Sequence, residues 1–267
     1  MTTDIDVRPQ QRAPLARYRH SLWLLTRRDL RVRYSTSVLG YLWSILDPLA
    51  MSAIYWFVFT QVFQRGVGHE PYIVFLLAAL LPWMWFNGAI TDATRAFTRE
   101  AKLIRSTTIP RTIWVARLVL SKGIEFVASI PVIVVFAIFT GATFRWEAIY
   151  VLLAVALQAT LTLGIGLIVA PLVVFFRDLE RAVKLVLRFL FYASPIIYGL
   201  DDLAHIGLAF WGSLNPLAGI FSLYRAAFFP QQLDWFAVAV STVMSVVALA
   251  IGVAVYRRTI RTVLKEI

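Results

Sequence analysis

The sequence predicts an all-α integral membrane protein with six transmembrane helices. An amphipathic helix at the membrane surface precedes them, and a re-entrant hairpin lies before the last one. Three observations lead there. First, 60% of the 267 residues are hydrophobic and the mean hydropathy is +0.73, whereas soluble domains are about 45–50% apolar. Second, the apolar residues come in runs close to the roughly 20 residues that cross a hydrocarbon core about 30 Å thick. Third, the basic residues lie between those runs and are distributed unevenly among them.

The predicted spans fall at 42–63, 72–90, 115–139, 149–176, 183–198 and 235–256. Pro82 lies inside the second and Pro131 inside the third, where a proline removes one helical hydrogen bond and favours a kink. The fourth is long enough to tilt. The fifth is short and is interrupted by Arg188 and Pro195. Segment 203–229 is apolar enough for a seventh helix, yet Gly207, Gly212, Asn215-Pro216 and Gly219 break it repeatedly.

Parity decides how that segment is read. Arg8, Arg12, Arg17, Arg19, Arg27, Arg28, Arg31 and Arg33 crowd the first segment, and Arg257, Arg258, Arg261 and Lys265 follow the last span. The positive-inside rule puts both in the cytoplasm, which requires an even number of crossings. Residues 203–229 are therefore expected to enter and leave on the outer side, since irregular backbone is tolerated at membrane depth where protein buries it or it lines a cavity. Arg95, Arg99, Lys102, Arg105, Arg111, Arg117 and Lys122 then fall inside, as do Arg177, Arg181, Lys184 and Arg188. The outer side keeps Arg65, Arg145 and Arg225 against Glu70, Glu147, Asp201, Asp202 and Asp234. Residues 1–34 form a cytoplasmic tail and surface helix, and 35–267 form one membrane domain with a cytoplasmic loop at 95–110.

Several function classes drop out. Net charge is +11 and the pI is about 10.3, which would suit nucleic acid as a partner. Here the charges flank apolar spans instead of forming one patch, so no nucleic acid is expected. Without cysteine there is no disulfide frame or thiolate metal site. His20, His69 and His205 are scattered over both sides, so no metal site is expected. No acidic pair or nucleophile–base pair stands at a readable spacing, so no catalytic residue is expected. No cleavable leader is expected either, because arginines interrupt the first forty residues.

On a helix at about 100° per residue, Leu15, Tyr18, Leu22, Leu25 and Val32 share one sector. Arg17, His20, Arg27, Arg28 and Arg31 share the opposite one. Leu24, Asp29 and Arg33 violate the pattern. This is the pattern of a helix lying in the headgroup plane with arginines near anionic lipid. The plainer alternative is a basic flank that only sets topology.

Four blocks carry a resemblance. Residues 28–63 read RDLRVRYSTSVLGYLWSILDPLAMSAIYWFVFTQVF. Residues 81–111 read LPWMWFNGAITDATRAFTREAKLIRSTTIPR. Residues 176–198 read FRDLERAVKLVLRFLFYASPIIY, and residues 215–228 read NPLAGIFSLYRAAF. In this order and spacing they resemble ABC-2 type permeases that export lipid-linked polysaccharides such as O-antigen, capsule, teichoic acid and galactan. The likeness runs from about residue 15 to the end. Asp47 before Pro48 and Ile109 before Pro110 depart from the residues common there, and Asp47 could alter an inner gate.

The resemblance implies a permease subunit and not an enzyme. The chain has no G-x-x-x-x-G-K-[ST] sequence to cradle nucleotide phosphates, so ATP and Mg would be bound by a separate subunit. It implies a homodimer with two such ATPase subunits, in contact with membrane lipids. Residues 95–110 resemble the family's coupling segment, with Glu100, Lys102, Leu103, Ile104 and Arg105 as the contacts, and 177–184 is a second candidate. Arg27, Arg28, Arg31 and Arg33 belong to the surface helix. Tyr55, Phe59, Phe191, Tyr192 and Tyr198 are channel-lining candidates, because aromatic faces stack on sugar C–H groups. The alternative for aromatics near span ends is an interfacial belt, the reading given to Trp83, Trp85, Trp146, Trp211 and Trp235.

Arg188 is a candidate for the diphosphate of a prenyl carrier lipid. Asn215, Pro216 and Arg225 are expected to hold the hairpin. Lys122 and Glu125 can pair across one helical turn. A galactan-type cell-wall polymer is the expected cargo. The competing readings are a permease for drugs or small amphiphiles, a membrane-embedded glycosyl- or acyltransferase, and a scaffold.

Overall fold

A computed structural model describes residues 14–35, 42–58, 69–107 and 109–266. Its helices are α1 (Pro14–Ser35), α2 (Trp43–Trp56), α3 (Tyr72–Ala93), α4 (Ala101–Ser106), α5 (Ile113–Thr140), α6 (Tyr150–Phe175), α7 (Leu179–Ala193), α8 (Leu200–Ala204), α9 (Ala209–Ser213), α10 (Ala218–Ala226) and α11 (Trp235–Glu266). Short 3-10 turns, Trp146–Ile149 and Pro230–Gln232, lead into α6 and α11. Among the described residues, four segments are long and apolar enough to cross a membrane: Tyr72–Ala93, Ile113–Thr140, Trp146–Phe175 and Trp235–Glu266.

Helix α3 is apolar on every side, as a helix at the centre of a bundle should be. Its most apolar stretch is 83% buried, against 28% in α5 and 22% in α11. It packs on α2, α5, α6, α7 and α10. The outer helices expose Val127, Ile138, Val243 and Val246 instead. Helices α6 and α11 share the most extensive contact. A Cβ on Gly164 would stand 2.5 Å from the backbone of Ala248 and Leu249, so only glycine allows the contact, as in membrane helix pairs that meet at small residues. Helix α5 stops at Gly141, whose φ of +73° suits glycine. There the Ala142 amide closes back on the Ala137 carbonyl at 2.9 Å.

The bundle has two chemically different ends. One gathers α1, the end of α3, α4, the start of α5, the start of α7 and the last turns of α11. The other gathers the start of α3, the α5–α6 turn, residues 194–234 and the start of α11. In the orientation expected from the basic residues, these are the inner and outer ends.

The expected fifth span is displaced. Its helix, α7, starts earlier and stops at Ala193, well before residue 198. Fifteen residues rise only about 22 Å, and residues 194–199 complete the path to the outer end without helix. Of the expected first span, only the part up to residue 58 lies within the described residues, so Phe59 lies outside them.

The belt reading fails for two tryptophans. Trp83 and Trp85 are buried in the core. The Trp85 indole donates to the Val119 carbonyl at 2.9 Å, and its ring stacks on Phe126. Trp146, Trp211 and Trp235 are exposed.

A charged inner crevice and an aromatic seam

The inner end is built on α1, but not as its helical wheel suggests. The sector with Tyr18, Leu22 and Leu25 packs on protein, against a cluster containing Phe97, Ile104, Ile113, Trp114 and Val263. Leu15, Trp23, Leu24 and Val32 are the outward apolar residues. Arg27 and Arg31 are exposed. Two residues that violate the amphipathic pattern, Asp29 and Arg33, make long-range ion pairs, and so does Arg28 of the polar sector. Asp29 accepts from Arg117 of α5 at 2.6 and 2.8 Å. Arg33 donates to Asp92 at 2.6 Å and also to Glu125. Arg28 donates to Glu100 at 2.5 Å.

Arg117 is the buried post of this network. Its side chain is 3% exposed, lies against the Trp114 ring and reaches Glu100 at 3.6 Å. Burial raises the Asp29 carboxyl above its ordinary pKa, outweighing Arg117 and Arg28, which lower it. Lys122 pairs with Glu125 at 2.7 Å, the short-range pair that sequence spacing predicts. Between these groups lies a cavity of about 850 Å³, lined by Arg28, Asp29, Arg33, Asp92, Arg95, Arg99, Glu100, Arg117 and Lys122 among others. Burying this much charge is tolerable only where it is paired and hydrogen-bonded. The cations and carboxylates pair across α1, α3, α5 and the segment before α4, while Arg117 Nε is buried without a hydrogen-bond partner among the described residues.

The expected coupling residues divide by direction. Lys102 and Arg105 point outward and Leu103 is half-buried. Ile104 is fully buried between α4, α5 and the end of α11, so it anchors the segment and offers nothing to a partner. Glu100 turns inward to Arg28 and Arg117. Arg111 holds the end of α4 by donating to the carbonyls of Ile104 at 2.6 Å and Thr107 at 3.0 Å.

Further up, α2 and α7 meet through aromatic rings. Tyr55 stacks on Phe191 with centroids 5.8 Å apart, and Tyr192 meets Phe191 edge-on at 5.1 Å. Phe191 is buried behind this seam, 5.5 Å from Trp83. Tyr192 is largely exposed. The Tyr198 hydroxyl donates to the Tyr192 carbonyl at 2.9 Å. Four of the five lining candidates thus come together, with Tyr192 as the open ring and Phe191 as its backing. Arg188 is exposed on α7.

The outer end of α7 is held by the hairpin. Asn215 donates to the Ala193 carbonyl at 3.1 Å and to Ser194 Oγ at 2.9 Å, while its own oxygen accepts the Leu217 amide across Pro216. Arg225 is buried and donates to the carbonyls of Phe75, Tyr198 and Ile196 at 3.3, 3.2 and 2.7 Å. Its guanidinium lies 3.6 Å from the centre of the Phe75 ring. Every residue of α10 is buried, and nine residues rise only about 13 Å. The segment therefore enters the bundle without crossing it.

The sequence model of the ABC-2 type transporters matches residues 20–229, from α1 to the end of this hairpin. The chain belongs to that family. As an ABC-2 chain, it is a multi-pass membrane protein. It is 34% identical over 239 residues to an O-antigen export system permease protein, RfbA, of Klebsiella pneumoniae, covering 89% of this chain and 91% of that one. It is 30% identical to the RfbA of Myxococcus xanthus over 82% and 84% of the two chains. It is 27% identical to the polysialic acid transport protein KpsM of Escherichia coli over 86% and 90%.

Asp29, Asp92, Arg95, Arg117 and Glu180 were not singled out as site residues by sequence reasoning. The one usable signal was the misfit of Asp29 and Arg33 on the wheel of α1. A charge on the wrong face of an amphipathic helix asks for a partner, but the sequence does not name it.

Proposed function

We propose that this chain is the permease subunit of an ATP-driven exporter of a lipid-linked polysaccharide. It works in the cytoplasmic membrane as a homodimer, with both termini in the cytoplasm and two ATPase subunits that bind ATP and Mg. The family membership and the roles of its relatives in polysaccharide export support the class. The observation that carries the path is the aromatic seam of Tyr55, Phe191 and Tyr192 between α2 and α7. Stacking rings can guide a sugar chain without reading its sequence. The outward Lys102 and Arg105 of α4, with the half-buried Leu103 between them, take the ATPase contact. Arg188, exposed on α7 below the seam, meets the carrier diphosphate. Arg27 and Arg31 hold α1 against anionic headgroups. A second copy would cover apolar faces that one chain leaves open on α2 and α7.

The test is reconstitution of the chain with its partner ATPase subunit, in vesicles loaded with prenyl-diphosphate-linked glycans. ATP hydrolysis should rise with a polymer-bearing lipid, a galactan-type chain first, and polymer should move only with ATP. Stimulation by small amphiphiles alone would favour a drug-type permease. Glycosyl or acyl transfer without an ATPase would favour a transferase. An Arg188→Ala variant that exports normally would remove the diphosphate assignment.

A further inference from the structure

The inner half of α7 is poorly anchored. No side chain from Leu179 to Val186 is buried, and Val183 alone packs in part on the core. Its covalent tether is the short turn from the end of α6. Among the described residues, one side chain from another element holds this half by polar contact. Arg95, in the turn that leads from α3 to α4, donates through Nε at 2.9 Å and Nη2 at 2.5 Å to Oε1 of Glu180. Lys184 adds a third donor to the same oxygen at 2.7 Å, one helical turn along α7. An acid N-terminal to a lysine at this spacing is the favourable order, and an acid suits the first turn of a helix. Hydrogen bonds from Arg95 and then Lys184 hold the Glu180 carboxyl down to about 2.

The two partners sit on elements with different duties. Arg95 opens the segment that carries α4 to the ATPase contact. Glu180 opens the helix that ends, at Phe191 and Tyr192, on the aromatic seam. Resting on the function proposed above, we propose that Glu180 is a positioning residue: through Arg95 it makes the start of α7 follow the α4 segment, so that movement imposed on α4 shifts the seam. The exposed side of the pair limits its strength. Solvent-exposed ion pairs contribute up to about a five-fold bias in an equilibrium, and a linkage shifts a population only by its differential energy. The expected effect is therefore a several-fold loss of coupling and not a block.

The chain has no cysteine, which permits a reversible test in the reconstituted complex. Export of prenyl-diphosphate-linked galactan is measured per ATP hydrolysed. Arg95→Glu and Glu180→Arg should each lower that ratio about five-fold, and the two together should restore it. In a second arm, Arg95→Cys with Glu180→Cys is joined by a cleavable bifunctional thiol reagent spanning the same gap. The ratio should be low before linking, restored when linked and low again after cleavage. Single variants that match the unmodified ratio overturn the proposal. So does failure of both the charge swap and the cross-link to restore it, or a cross-link that stops export. If the unmodified complex shows no ATP-dependent export, the functional reading fails instead, and that is read in the same vesicles.

Discussion

The two ends of the bundle bury arginine in opposite ways. At the outer end Arg225 is held by three main-chain carbonyls and a phenyl ring, with all its partners on fixed backbone. At the inner end Arg28, Arg33 and Arg117 are held by the carboxylates of Asp29, Asp92, Glu100 and Glu125, around a cavity of about 850 Å³. Carbonyls cannot leave without unfolding the segment, so the outer arginine is a rivet. Carboxylates on rotatable side chains can exchange partners, and Arg117 already lies within reach of two. The difference teaches that one end of the bundle is fixed by backbone while the other is held by side chains that can exchange partners.

The sharpest way to break that comparison is at Arg225. Arg225→Ala takes the arginine donor from the Ile196 and Tyr198 carbonyls, which lie outside any helix, and a second donor from the Phe75 carbonyl of α3; a buried carbonyl left unpaired costs about 1–3 kcal/mol. Folded, monodisperse yield in detergent should collapse. Arg225→Lys should recover little of it, because one ammonium on a flexible stem cannot reproduce the fork. Well-folded protein from Arg225→Ala would show that the rivet is dispensable.

Arg117→Met comes next. It leaves Asp29, in a half-buried site, with only the longer contact from Arg28 at 3.4 Å, and removing one partner of a buried pair costs about 3–5 kcal/mol. The crevice can admit water and Glu100 keeps Arg28, so the loss should fall at or below the low end of that range. Melting in detergent should drop by clearly less than for Arg225→Ala. An equal or larger drop would mean that the inner network is as rigid as the outer one.

Helix α4 sharpens the contrast on a smaller scale. Ile104→Ala removes a fully buried side chain, typically about 2–5 kcal/mol in a packed core, and should lower the melting temperature. Lys102→Glu with Arg105→Glu should leave melting unchanged and reduce co-purification of the ATPase subunit. The reverse assignment would exchange the anchor and the contact faces.

The smallest effect is expected at the seam. Tyr192→Ala exposes no core and should leave melting within about 0.5 kcal/mol of the parent, while glycan-stimulated ATP hydrolysis falls. Trp146→Ala, an exposed ring at the α5–α6 turn, should change neither. Equal effects of the two would remove the distinction between path and belt.

Much of this architecture was legible in the residues alone. The long helices α3, α5, α6 and α11 follow from unbroken apolar runs, because a hydrocarbon interior admits little else. The hairpin follows from Asn215-Pro216 and its neighbouring glycines, which no continuous span would carry. Lys122 and Glu125 pair across one turn, so spacing suffices to find them. Trp83 and Trp85 were misread because closeness to the end of a span says nothing about which helix lies at the centre. Helix α3 is central because five others pack around it, and no single run encodes its neighbours.

Composition and charge order by themselves determined that the chain lives in a membrane and which end carries the basic residues. Both depend only on transfer of side chains between water and lipid, a property of each residue taken separately. The tertiary structure alone decided that Asp29 meets Arg117, that Ile104 turns inward, that Glu180 reaches Arg95 and that Tyr55 finds Phe191. Those contacts join residues far apart along the chain, and their geometry exists only once the helices have packed.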